Sequence, residues 1–171
     1  MKCIIIPIYL VLSLLLWSKA DAQNSKKEEK AQKKLEAYQS VVDLIESGKY
    51  EFQARKANPQ RGRQIDLTTN PNYLRVDQDH LVADLPYFGV IQVGSLSGEG
   101  GVKFDGKPLS YDVNRNDDKH KITINFKIQE KGESYNCTLN VSSESNAALS
   151  ISFVKRDRIS YYGELMELET K

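Results

Sequence analysis

The sequence predicts a mainly β protein: an antiparallel up-and-down barrel, or a strongly curved sheet, with an N-terminal helix. Three observations carry this. Several runs alternate apolar and polar residues with period two, as strands with one buried and one wet face do. Short connectors with reversal residues separate these runs, so sequence neighbours become sheet neighbours. The outward set is polar, whereas a membrane barrel would carry an apolar outer band.

The first element is a leader. Lys2 precedes an almost wholly apolar run from Cys3 to Trp17, and Ala20-Asp-Ala22 supplies small residues where a signal peptidase reads. This pattern is that of a secretory signal peptide over residues 1–22, cut between Ala22 and Gln23. The run is short for a bilayer span of about 20 residues, so no transmembrane segment is expected after cleavage. The expected location is periplasmic or secreted. No cysteine follows the cut, which argues against a lipid anchor through an N-terminal cysteine.

Cleavage would remove Lys2, Lys19 and Asp21, leaving 22 basic and 22 acidic residues in a chain of 149. Zero net charge gives no long-range field to gather nucleic acid. Cys137 would be the sole remaining cysteine, which excludes an internal disulfide. The patterns Asn136-Cys-Thr138 and Asn140-Val-Ser142 match N-glycosylation acceptors, and would be chance matches if the source were bacterial.

Residues 23–48 read as a helical segment. Ser25 with Glu28 is a capping-box pattern, and Ala31, Leu35, Tyr38, Val42 and Ile45 fall on one face. Gly48 suits a C-terminal stop. Mixed charges on the other face fit a solvated surface better than a membrane helix.

Residues 49–171 form the β domain. Alternation is clearest from Tyr50 to Arg55, Ile122 to Gln129, Tyr135 to Ser142 and Leu149 to Val154. Weaker strands cover Ile65 to Thr68, Tyr73 to Asp77, Leu81 to Leu85, Val102 to Asp105, Leu109 to Val113 and Ile159 to Leu168. Reversals are expected at Asp105-Gly106, Lys131-Gly132, Ser145-Asn146 and Arg156-Asp157. The longest loop is Pro86 to Gly101, which holds five glycines before its end is passed.

Catalytic chemistry finds little footing. Gly94 to Gly101 lacks the Lys-Ser pair and following helix of a phosphate loop. His80 and His120 sit beside aspartates at turns, with no metal-ligand spacing. Cys137 shares the inward phase of Tyr135 and Leu139, which suits an inert thiol. No nucleophile-elbow motif occurs. No cofactor is expected, and an enzyme is the least supported class.

Aromatic residues are the remaining candidates for ligand or partner contact: Tyr87, Phe88, Tyr161 and Tyr162. Tyr161 and Tyr162 should face opposite sides of their strand. Within Leu85-Pro-Tyr-Phe-Gly89, the expectation is that Phe88 packs, that Tyr87 is partly exposed, and that Gly89 supplies a backbone conformation closed to other residues.

The order of motifs is itself informative. Phe52-x-Ala54 before Pro59, Tyr73-Leu-x-Val-x-x-Asp79, Leu85-Pro-Tyr-Phe-Gly89, Gly100-Gly-Val-x-Phe104 and Arg158-Ile-Ser-Tyr-Tyr-Gly163 succeed one another. That order resembles domain of unknown function family 4251, found in exported Bacteroidetes proteins, over nearly all of the mature chain. The resemblance implies a lipocalin-like barrel and supplies no catalytic residues. Arg is common in the family after the motif's glycine, where this chain has Val90.

The functional expectation is an exported envelope protein that binds a small apolar or amphipathic ligand. The alternative is a protein-interaction or structural module whose barrel is filled by its own side chains. Interior volume discriminates between them.

Overall fold

The computed structural model describes residues 5–69, 72–90 and 101–169, with side chains from residue 26 onward. One helix precedes ten strands among these residues. Of the predicted long loop, residues 91–100 lie outside the described residues. The chain divides into two units, residues 1–36 and 37–171.

Helix α1 spans Ile5–Glu46. It runs straight through Ser25, so the expected capping box is not a helix start. The physical reason is that residues 18–24 contain no glycine or proline to interrupt the Leu-rich turns before them, and Pro7 lies in the first turn, where it is tolerated. The expected apolar stripe is also shorter than its sequence pattern. Tyr38, Val41, Val42 and Ile45 are buried in the core of the second unit, while Ala31 and Leu35 are exposed. Gly48 does stop the helix, with φ of 69° and its N–H donating to Ile45 O at 3.1 Å. No helix among the described residues is long and apolar enough to cross a membrane.

The strands are β1 (Lys49–Pro59), β2 (Ile65–Asp66), β3 (Tyr73–Asp77), β4 (His80–Pro86), β5 (Gly101–Gly106), β6 (Ser110–Asn116), β7 (Lys121–Glu130), β8 (Glu133–Ser142), β9 (Asn146–Ser152) and β10 (Ile159–Glu167). Every expected strand is present. The second is short because Asp66 Oδ1 accepts from the Thr68 N–H at 2.9 Å and its hydroxyl at 2.7 Å, turning the chain away.

All pairings are antiparallel, in the order β5-β4-β3-β1-β10-β9-β8-β7-β6, with β2 appended to β1. The first and last strands, β1 and β10, join two meanders into one strongly curved sheet. Lys131 and Gly132 both have positive φ, as a two-residue type I′ hairpin requires. Asp105-Gly106 is different: it is not a hairpin. β5 pairs with β4 and β6 pairs with β7, so the chain crosses between the two sheet edges.

That crossing curls the sheet. Four residue steps from Gly106 to Ser110 reach at most about 14 Å, so the two edges must lie close there. They do not zip together. Nine strands in antiparallel succession leave the first and last, β5 and β6, running in the same direction, so antiparallel closure is denied by parity. Side chains bridge the resulting seam instead: Phe104 meets Phe126 edge-on at 6.3 Å, and the Tyr135 hydroxyl lies 3.4 Å from Lys103 O.

Inside the curve, Tyr50, Phe52, Leu74, Leu81, Leu85, Ile122, Ile124, Leu139, Leu149 and Tyr161 are almost fully buried. The predicted inward phases hold for β7, β8 and β9. The interior is packed with side chains.

Candidate functional site

The upper rim, where β4 ends, β5 begins and β9 connects to β10, gathers a group of buried and half-buried polar side chains. Two tyrosines fasten it. Tyr161, wholly buried on β10, donates from its hydroxyl to Pro86 O at 2.8 Å. The Tyr87 hydroxyl lies 2.9 Å from Asp157 O and 3.2 Å from Val90 O, while the Asp157 N–H donates to Val90 O at 3.2 Å. The segment after β4 is thereby strapped to the β9–β10 connection.

This reverses one expectation. Tyr87 is the packed residue, 8% exposed, with its ring edge-on to Phe153 at 5.4 Å, and Phe88 is 40% exposed. The inward phase of Leu81, Ala83 and Leu85 continues past the strand end to Tyr87, which leaves Phe88 on the outer side, and two carbonyl partners hold the Tyr87 hydroxyl in place. The role of Gly89 is also different. A Cβ there would meet the Tyr87 hydroxyl at 2.2 Å, so the glycine makes room for the ring and supplies no unusual φ.

Arg156 lies behind this strap, with its side chain only 2% exposed. The sequence placed Arg156-Asp157 at a reversal, and a basic residue between Lys155 and Asp157 gave no sign of burial. Its Nη2 is 2.7 Å from Glu133 Oε2, and its Nη1 donates to Gly101 O at 3.2 Å. The guanidinium sits 5.5 Å from the Tyr87 ring centroid and 5.8 Å from that of Phe153. Glu133 also faces the Tyr135 hydroxyl at 3.1 Å. A recess of about 40 Å³, bounded partly by Lys103 and Lys131, opens beside them and has room for little more than a water or two.

The chemistry is that of a latch. Arg156 and Glu133 neutralise each other, and they tie β8, the start of β5 and the β9–β10 connection together. Burial, followed by the neighbouring Glu133 charge, pushes the Tyr135 phenol up. Burial likewise raises Tyr161, and it raises Tyr87 with help from Asp157. These phenols stay protonated near neutrality and serve as donors. Cys137 is buried as expected, and burial pushes its thiol up, away from the thiolate form a nucleophile needs. Among the described residues, no cluster of His, Cys, Asp or Glu could hold a metal.

The four aromatic candidates separate. Tyr87 and Tyr161 meet around Pro86 and are structural. Phe88 stands at the rim with exposed Val90 and Val154. Tyr162 points outward from the wall, where it borders a shallow recess of about 310 Å³ with Asn140 and Ala148.

The sequence profile for the domain of unknown function DUF4251 matches residues 32–165. The chain belongs to that family. A DUF4251 protein from Bacteroides eggerthii DSM 20697, solved by crystallography at 1.95 Å, is similar in fold: TM-score 0.61 at 21% identity, covering 77% of this chain and 87% of that one. No curated protein matches. In this DUF4251 member two of the segments that carried the resemblance, Leu85 to Gly89 and Arg158 to Gly163, are brought into contact by the Tyr161–Pro86 hydrogen bond.

Proposed function

We propose that this protein is an exported, non-enzymatic interaction module of the cell envelope, and that it meets a protein partner with the rim around Phe88, Val90 and Val154. The observation that carries this reading is where apolar surface lies. The interior positions are taken by the protein's own side chains, whereas Val154 is 75% and Val90 53% exposed beside the rigid Tyr87–Tyr161 strap. Exposed apolar side chains on segments held by hydrogen bonds suit a docking surface. The leader-like residues 1–22 support export. The rival reading, storage of a small apolar molecule, gains no enclosed space from the packed curve.

Site-specific photocrosslinking in producing cells tests the proposal. A crosslinker at position 88 or 154 should yield a discrete protein adduct, one at position 162 should not, and Phe88→Asp should weaken the adduct from position 154 at least tenfold. A stoichiometric apolar molecule in organic extracts of the purified protein, without rim adducts, would overturn it in favour of ligand storage.

A further inference from the structure

Strand β6 is built as an edge and left open. All seven of its residues are exposed, and among the described residues it pairs with β7 alone. Among the described residues, β5 makes no ladder with its other side. The free edge carries two charged side chains, Asp112 and Arg115, but no proline, no lysine and no β-bulge within its pairing with β7. Yet the strand is well held. The Tyr111 hydroxyl bonds the Tyr50 hydroxyl, the Tyr111 ring stacks near Phe126, and Arg115 pairs with Glu46 at 2.5 Å. A rigid, unpaired row of backbone donors and acceptors is ready to accept another strand.

We propose that β6 pairs with β6 of a second copy of this chain, antiparallel, about a two-fold axis through Val113. A two-fold pair sets a sequence against its own reverse, so self-complementarity can be read directly from Ser110-Tyr-Asp-Val-Asn-Arg-Asn116. With the axis at Val113, which is 40% exposed, the two valines meet and all seven residues overlap. Each Tyr111 then faces the other copy's Arg115, and each Asp112 faces Asn114. No like charges oppose one another, and both inner faces lie on one side of the joined sheet. Moving the axis to Asp112 sets two aspartates against each other. Moving it to Asn114 sets Val113 against Arg115. The Val113 axis is the register in which both charge and apolar surface agree. An edge pair of this length buries less than the roughly 1,200–2,000 Å² of a standard interface, so the dimer is reversible and grows with concentration.

Sedimentation velocity and disulfide trapping test this on protein purified from the producing cells, in a Cys3→Ser background. Val113→Cys should cross-link to a dimer under mild oxidation, since residues on the axis come within disulfide reach, whereas Ser110→Cys, which faces Asn116, should not. Buried Cys137 stays out of the reaction. Val113→Lys and Val113→Glu should each be monomeric while melting like the parent, and an equimolar mixture should dimerise again. A parent that sediments as a monomer at every concentration would overturn the proposal. So would equal cross-linking at positions 110 and 113, or a mixture that stays monomeric.

Discussion

Tyr87 and Phe88 are adjacent rings with opposite fates, and Tyr87 is the one that shares the inward phase of Leu81, Ala83 and Leu85. Tyr87 has a hydroxyl that can reach Asp157 O and Val90 O, with Gly89 leaving space for the ring. Phe88 has no such tip and faces solvent. Tyr87→Ala should therefore destabilise the fold by about 3 to 5 kcal/mol, in the range of large buried aromatic truncations. Phe88→Ala should cost about 1 kcal/mol or less, as exposed substitutions do. Denaturant melts of the two variants check this, and a larger loss for Phe88→Ala would show that the rim ring packs after all. Arg156 is a different case. Its partners, Glu133 and Gly101, are far away in the chain, so burial could not be read from its charged neighbours.

Most strand boundaries were legible because period two is written into each strand by its own half-buried environment. β1 is the informative exception. Its alternation is clear through Ala54, then breaks, and Ala57 and Pro59 face inward instead. The register explains the break: Ala54 pairs with Gly163 and Lys56 with Tyr162, which makes Arg55 an extra residue and shifts the phase by one. Gly163 permits the close approach beside this bulge, since a Cβ there would lie 1.9 Å from Gln53 O. Gly163→Ala should destabilise the protein by about 3 kcal/mol through overpacking against backbone. Gly106→Ala, where an added Cβ meets nothing within 4 Å, serves as the neutral control. Comparable melts for the two would mean that β1 and β10 separate easily, and the join between the two meanders would then be weaker than the geometry requires.

Packing many tyrosines in and around one curved sheet has a consequence for the whole molecule. Tyr38, Tyr50, Tyr87, Tyr111, Tyr135 and Tyr161 all have phenols raised above the ordinary value of 10.0, chiefly by burial. Tyr38, also hydrogen-bonded to Asp117 at 2.6 Å, is pushed up to about 12. A raised folded value means the unfolded chain loses these protons first. The stability they contribute is fully present below pH 10 and is lost as pH rises above 10, where the unfolded state is increasingly favoured. The denaturant midpoint should fall steadily above that pH, and absorbance at 295 nm should show a delayed phase of ionisation that coincides with unfolding. Complete tyrosine ionisation near pH 10 with the fold intact would show that these hydroxyls are wet.

The sequence by itself determined the β class, the ten strands, the inward phase of β7 to β9, the burial of Cys137 and the split between Tyr161 and Tyr162. These are local properties, fixed by which face of a strand is apolar and by which residues tolerate a turn. The family, too, was legible from short motifs in order. Tertiary structure alone decided the crossing at Asp105-Gly106 and the unzipped seam. It also decided how far the helix stripe packs and the placement of the Arg156–Glu133 pair. Each of these depends on which distant strand becomes a neighbour, and an odd number of antiparallel strands leaves an edge that no single strand's pattern records.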